Sequence, residues 1–249
     1  MCYNISVVKK DTRKDDVTLM TKKEYKLVID TETLAGFHQP IAYDVGGAVT
    51  DRNGHIYETF HFAVKETIGN VKRMNTAYYA DKYPEYLERL YNHEMVLAPF
   101  ADICEHINAL IDKYAIQTLA AYNLQFDLRA MKYTALEILG TEEWTRADLK
   151  PLCIWCAACE ILYTAKFCKV ARENGWTTEK GNICTNAEVG FRYISQNWEF
   201  LEEHRGLDDV LVEVQILTAV YRKHKRFSGE PKAFPFRQVW KREKVEKGA

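Results

Sequence analysis

Residues Tyr25 to Gly36 read Y-K-L-V-I-D-T-E-T-L-A-G, a short apolar run that ends in two carboxylates. Leu27, Val28 and Ile29 have the β-branched, apolar character of a buried strand, and Asp30 and Glu32 follow two positions apart. Strand side chains alternate faces, so Asp30 and Glu32 project together from the strand end. Two like charges side by side repel, and in a low-dielectric setting one pKa rises unless a cation neutralises both. Magnesium or manganese, hard ions that take oxygen ligands, answers that need. A plain turn-capping role competes with this reading, so carboxylates elsewhere in the chain have to decide it.

Working outward, Ile41–Thr50 reads as a second strand, Asp51-Arg52-Asn53-Gly54 as a turn and His55–Val64 as a third strand, which makes an antiparallel meander. Residues 65 to 115 are helical in pattern, with Tyr83–Tyr91 and Ala98–Tyr114 the better segments. Tyr78, Tyr79, Tyr83, Tyr86 and Tyr91 crowd the first part, either filling a core between helices or offering rings that stack on bases. Gln117–Tyr122 is another short strand. It is followed by Asn123-Leu124-Gln125-Phe126-Asp127 and a helix to about Leu139, which puts Asp127 at a strand-to-helix junction where ligand sites of open α/β sheets gather. Arg146–Asp148 supplies a fifth, edge strand, and Pro151 opens the next helix at a position proline tolerates. Thr185-Asn186-Ala187-Glu188 fits a capping box, which makes Glu188 a helix-start residue rather than a ligand. Leu207 to about Lys223 forms the last clear helix, with Leu207, Val210, Leu211, Val214, Leu217 and Tyr221 as its apolar stripe and Asp209 in its first turn.

The chain of 249 residues is 47% hydrophobic and 28% charged, ordinary values for a soluble globular protein, and carries a net charge of −1. That balance hides an acidic body, because from Arg222 onward there are ten Lys or Arg against three Glu. Seven cysteines, an odd number without a signal-peptide pattern, read as reduced thiols in a cytoplasmic protein. No apolar window is long enough to cross a bilayer, so a membrane role is not expected.

Collected in order, the acids are Asp30 and Glu32 on a strand end, Asp127 after a second strand and Asp209 near a helix start, with His204 in H-R-G-L-D-D just before that helix. Carboxylates around two divalent ions about 4 Å apart, with an imidazole at the rim, suffice to hydrolyse a phosphodiester. His204, with an unperturbed pKa of about 6.5, suits a proton acceptor near neutral pH.

The segments V-I-D-T-E-T, A-Y-N-L-Q-F-D and H-R-G-L-D-D resemble, in order, the three exonuclease motifs of the DEDDh family, typified by the proofreading epsilon subunit of bacterial DNA polymerase III. The resemblance implies an α/β, RNase H-like fold with a mixed five-stranded sheet flanked by helices. It also implies 3′-to-5′ exonuclease activity with two magnesium or manganese ions. Position by position, Asp30 bridges the ions, Glu32 and Asp209 complete the first site, Asp127 holds the second and His204 is the general base. Arg205 stands where the related tyrosine branch carries its Tyr, which favours the histidine branch. Asp208 rivals Asp209 as last ligand, and only the family spacing from His204 favours Asp209. Thr31, Thr33 and Leu34 match positions that contact the terminal nucleotide, and Asn123 and Phe126 match the second motif.

The resulting layout is an extension over 1–24, an exonuclease domain over 25–223 and a basic tail over 224–249. The expected partner is a nucleic-acid 3′ end, single-stranded DNA ahead of RNA. An RNA-trimming enzyme and a non-catalytic nucleic-acid-binding or polymerase-partner module are the alternatives. A polymerase partner binds in trans, and a monomer and a homodimer are both open. Cys153, Cys156, Cys159 and Cys168 invite a metal reading, yet the first three lie in a helical pattern where thiols pack as small hydrophobes. The tail interleaves Lys and Arg with Phe227, Phe234, Phe236 and Trp240, and reads equally as an arm gripping nucleic acid or as a cover folded onto apolar surface.

Overall fold

A computed structural model describes residues 23–34, 38–224 and 226–247. The strand expected at Tyr3–Val8 and nearly all of the 1–24 extension lie outside these residues. The strands are β1 (Lys26–Thr33), β2 (Ala42–Thr50), β3 (Ile56–Val64), β4 (Val96–Ala98), β5 (Thr118–Ala121) and β6 (Lys150–Cys153). Short helices α1 (Lys65–Ile68) and α2 (Val71–Met74) and a 3-10 turn at Ala80–Lys82 precede α3 (Tyr83–Tyr91) and α4 (Phe100–Tyr114). The chain continues through α5 (Leu124–Leu139), α6 (Ile154–Ile161), α7 (Ala165–Glu173), α8 (Ala187–Ser195), α9 (Gly206–Lys223) and α10 (Phe236–Lys247).

The strands form one mixed sheet in the order β4-β3-β2-β1-β5-β6. β1, β2 and β3 are the expected antiparallel meander, and β1 pairs parallel to β5 and β5 to β6. Every residue of β2 is buried, as a central strand covered on both faces requires. Alternation along β1 sorts the core: Val28 packs with the layer that holds α6, α7, α8 and α9, while Leu27 and Ile29 pack with α4 and α5.

The sheet has six strands, one more than expected. β4, three residues long and paired parallel to β3, falls within residues 65 to 115, expected to be helical, whereas Pro99 ends the strand and caps α4. The edge strand lies at Lys150–Cys153 rather than Arg146–Asp148. Pro151 is therefore inside that strand and does not open a helix, because an edge strand tolerates a residue with no N–H to donate. At α8 the cap is Asn186, whose side chain accepts the Val189 N–H at 3.2 Å, rather than Thr185. Asp127 lies within the first turn of α5, which begins at Leu124.

The cysteines divide between the two cores. Cys153 and Cys156 pack on one side of the sheet and Cys159 and Cys168 on the other, all buried. Beyond Lys223 the chain turns back: Val239 is fully buried, and the Arg242 guanidinium donates to the Cys159 and Tyr163 carbonyls at 2.7 and 2.8 Å. Phe236 and Trp240 pack on each other with ring centres 4.3 Å apart, so these tail aromatics are engaged within the domain. Among the described residues no helix is long and apolar enough to cross a membrane.

Candidate active site

A cleft of about 600 Å³ opens where β1 and β5 end. Asp30, Glu32, Asp127, Asp209 and His204 all line it, as do Thr31, Thr33, Leu34, Asn123 and Phe126. Asp30, Asp127 and Asp209, successively 97 and 82 residues apart in sequence, thus close onto one surface, and the reasons are local.

Asp30 and Glu32 share one face of β1, toward α9. Asp209, 5% exposed, comes from the first turn of α9. That helix can approach because two glycines face each other: a Cβ on Gly46 of β2 would lie 2.1 Å from the Gly206 carbonyl carbon. Asp44, with no exposed surface, fixes the same junction, its carboxylate accepting the Gly206 N–H at 3.0 Å and the Tyr86 hydroxyl at 2.8 Å, with His61 Nε2 3.0 Å away. Asp127 arrives from the opposite helical layer. Its Oδ1 accepts both the N–H and the hydroxyl of Thr31, at 3.1 and 2.9 Å. Thr31 is 4% exposed, and its hydroxyl is committed to Asp127.

Packing these acids together is costly, and their acidities register it. Burial first, then the charges of Asp127, Glu213, Glu32 and Asp209, raise the Asp30 carboxyl well above the usual range. Glu32 rises likewise through burial and the charges of Asp44 and Asp209. Burial pushes Asp127 up to about 7 despite its bonds from Thr31, and burial with Glu202 and Asp208 pushes Asp209 up to about 8. Asp30 Oδ2 and Asp209 Oδ1 are buried without a hydrogen-bond partner. One ligand atom each from Glu32, His204 and Asp209 lies within 4.8 Å of the others. Orphaned, mutually repelling hard oxygens are what a divalent cation satisfies, so the donor set fits magnesium or manganese. The carboxylates offer oxygen donors with the His204 imidazole beside them; among the described residues the cysteines form no such group.

His204 precedes α9 with φ of +48°, a left-handed backbone that few non-glycine residues adopt. Its ring lies against Tyr79, and its Nδ1 is 4.0 Å from Glu202 Oε2. Burial and the nearby Lys82 lower its pKa.

Two acids of the cleft, Glu213 and Glu202, escaped sequence reading. Glu213, 2% exposed, accepts the Tyr122 N–H at 3.0 Å and is raised well above the usual range by burial and Asp127. It lies one helical turn after Asp209, and that spacing on an otherwise apolar stripe is the signal that could have revealed it. Glu202 is pushed up to about 7 by burial and then by Glu188. Tyr79 lines the wall, while the neighbouring Tyr78 is 84% exposed. The tyrosine cluster therefore splits, with Tyr86 in the core and Tyr78 and Tyr79 at the cleft.

No family model and no curated protein matches this sequence. Among solved structures it is similar to the apo form of Exonuclease I, at 14% identity and a TM-score of 0.52, over 82% of this chain and 43% of that one. It is similar also to E. coli Exonuclease I in complex with a dA16 oligonucleotide, at 14% identity and a TM-score of 0.50, over 82% of this chain and 42% of that one. The zinc-bound E. coli ExoI–ssDNA complex gives the same identity, TM-score and coverages. The chain thus spans about two fifths of the length of these proteins. What the likeness establishes is architecture: the chain has the RNase H-like fold of these exonucleases, built on a sheet of six strands.

Proposed function

We propose that this protein is a divalent-metal-dependent 3′-to-5′ exonuclease that removes nucleotides from single-stranded DNA, with His204 as general base. The observation that carries this reading is the meeting of Asp30, Glu32, Asp127, Asp209 and His204 in one cleft. A module that merely binds nucleic acid gains nothing from clustered carboxylates, which repel phosphate. The bound DNA in the similar structures agrees with the choice of substrate.

Asp30, Glu32 and Asp209 would hold one ion, and Asp30 with Asp127 the other. When bound, such a pair supplies positive charge against the phosphate oxygens and a water acidified toward neutral pH. The protein's own groups do the rest. His204 accepts the proton of the attacking water through its ring edge, and its lowered pKa keeps it neutral and ready near pH 7. Thr31 fixes the rotamer of Asp127, Asp44 seats the start of α9, and Glu213 ties that helix to the end of β5 through Tyr122 N–H. Thr33, Leu34, Asn123 and Phe126 surround the space for the terminal nucleotide.

The test is a panel of 3′-labelled single-stranded DNA, duplex DNA and RNA with magnesium, manganese or chelator. Mononucleotides released from single-stranded DNA only with metal support the reading; preferred release from RNA would move it to end trimming. No release from any substrate would leave a binding module. His204→Ala should slow turnover by about a hundredfold with little change in metal affinity.

A further inference from the structure

We propose that Tyr79 is a positioning residue for His204, stacking on the imidazole so that its ring edge stays turned to the cleft. The inference rests on the nuclease reading above and adds to it a residue that none of the three motifs contains.

His204 has little else to hold it. It lies on the connection between α8 and α9, its backbone is left-handed, and its side chain is 33% exposed. Nothing in secondary structure fixes its ring. Tyr79, just before the 3-10 turn, lies face to face with it, ring centres 4.3 Å apart and planes inclined by 13°. Stacking occupies a π face and leaves the nitrogens, which lie in the ring plane, free at the edge. Nδ1 lies 4.0 Å from Glu202 Oε2, too far for a hydrogen bond to fix the ring, which leaves its orientation to the stack.

The segment presenting Tyr79 is itself fastened to the His204 connection, by contacts that do not involve the ring pair. The Lys82 ammonium donates to the Glu203 carbonyl, Arg205 meets Glu85 at 2.9 Å and Arg89 meets Asp208 at 3.1 Å. Tyr79 is thus delivered to the imidazole by a clasp spanning residues 79 to 89. Stacking asks for the ring, so phenylalanine should replace tyrosine.

The experiment compares full-length wild type, Tyr79→Phe, Tyr79→Ala, His204→Ala and the double alanine variant on single-stranded DNA with magnesium. Tyr79→Ala should lower kcat by about tenfold to fiftyfold with KM within about threefold, and Tyr79→Phe should stay within about twofold of wild type. In the His204→Ala background, Tyr79→Ala should cost less than about twofold, because the two act as a unit. A raised KM with kcat kept would make Tyr79 a substrate-stacking surface and overturn the proposal, as would an equal loss in both backgrounds. If wild type cleaves nothing, the nuclease reading fails, and the ring pair is then judged by proton NMR of the imidazole. The His204 ring protons should move downfield in Tyr79→Ala and not in Tyr79→Phe; no movement in either would overturn it.

Discussion

Along the floor of the cleft, β2 and the start of α9 meet backbone to backbone at Gly46 and Gly206, and buried Asp44 bonds the helix start. At the rim, the segment around Tyr79 and the chain around His204 are joined by ion pairs with exposed members: Glu85, paired with Arg205, is 50% exposed and Asp208, paired with Arg89, 32%. Buried, geometrically forced contacts transmit any error directly to the acids, whereas each surface pair contributes little, about 0 to 1 kcal/mol. The floor fixes where the acids stand, and the rim adjusts how well the proton acceptor is held.

Asp30→Asn gives the sharpest contrast on the floor. It should lower activity by about a thousandfold or more, as loss of a shared metal ligand does, while the melting temperature in chelator stays level or rises because a repelling charge is gone. A marked fall in melting temperature together with retained activity would remove Asp30 from the centre. Gly46→Ala should be nearly as damaging to activity but for another reason, since its methyl must displace the Gly206 backbone. Here circular dichroism and thermal melting should report lost stability, and added magnesium should not recover activity.

A third test uses pH. Asp127 and Asp209 are raised from the ordinary 3.8 to about 7 and about 8 in the folded protein. The unfolded chain therefore releases these protons first, and between about pH 4 and pH 8 the folded state binds more of them, so metal-free stability falls as pH rises through that window. Melting in chelator should drop by about 5 °C or more between pH 5 and pH 8, and magnesium should restore it mainly at the upper end. A flat profile would mean the acids do not share a low-dielectric site. The smallest effect belongs to the rim: Arg89→Ala, which breaks the pair with Asp208, should change activity by about twofold, less at high salt. A loss as large as that of Gly46→Ala would erase the distinction between floor and rim.

The acids were legible where a local period carried them. Asp30 and Glu32 followed from strand alternation, and Asp127, Asp209 and His204 from ordered motifs, and all five line the cleft. Asp44 stayed hidden because its job is a contact between elements 162 residues apart, although a lone carboxylate inside a strand buried along its whole length was a signal. Tyr79 was one of several crowded tyrosines, and no periodicity tells the ring that meets an imidazole from the one that fills a core. β4 was too short to interrupt a helical pattern, and β6 slipped because proline was read as a helix opener instead of an edge residue. The tail helix α10 has only a single turn of apolar spacing, Phe236, Val239 and Trp240, and tertiary contact rather than pattern determines it.

Where Gly46 and Gly206 meet, neither residue has a side chain that a substitution could trim. Any larger residue pries the helix outward; none draws it closer. The spacing between the acids on β1 and the acid on α9 is already at its inner limit, and variation at this seam can only widen the grip, toward larger ions.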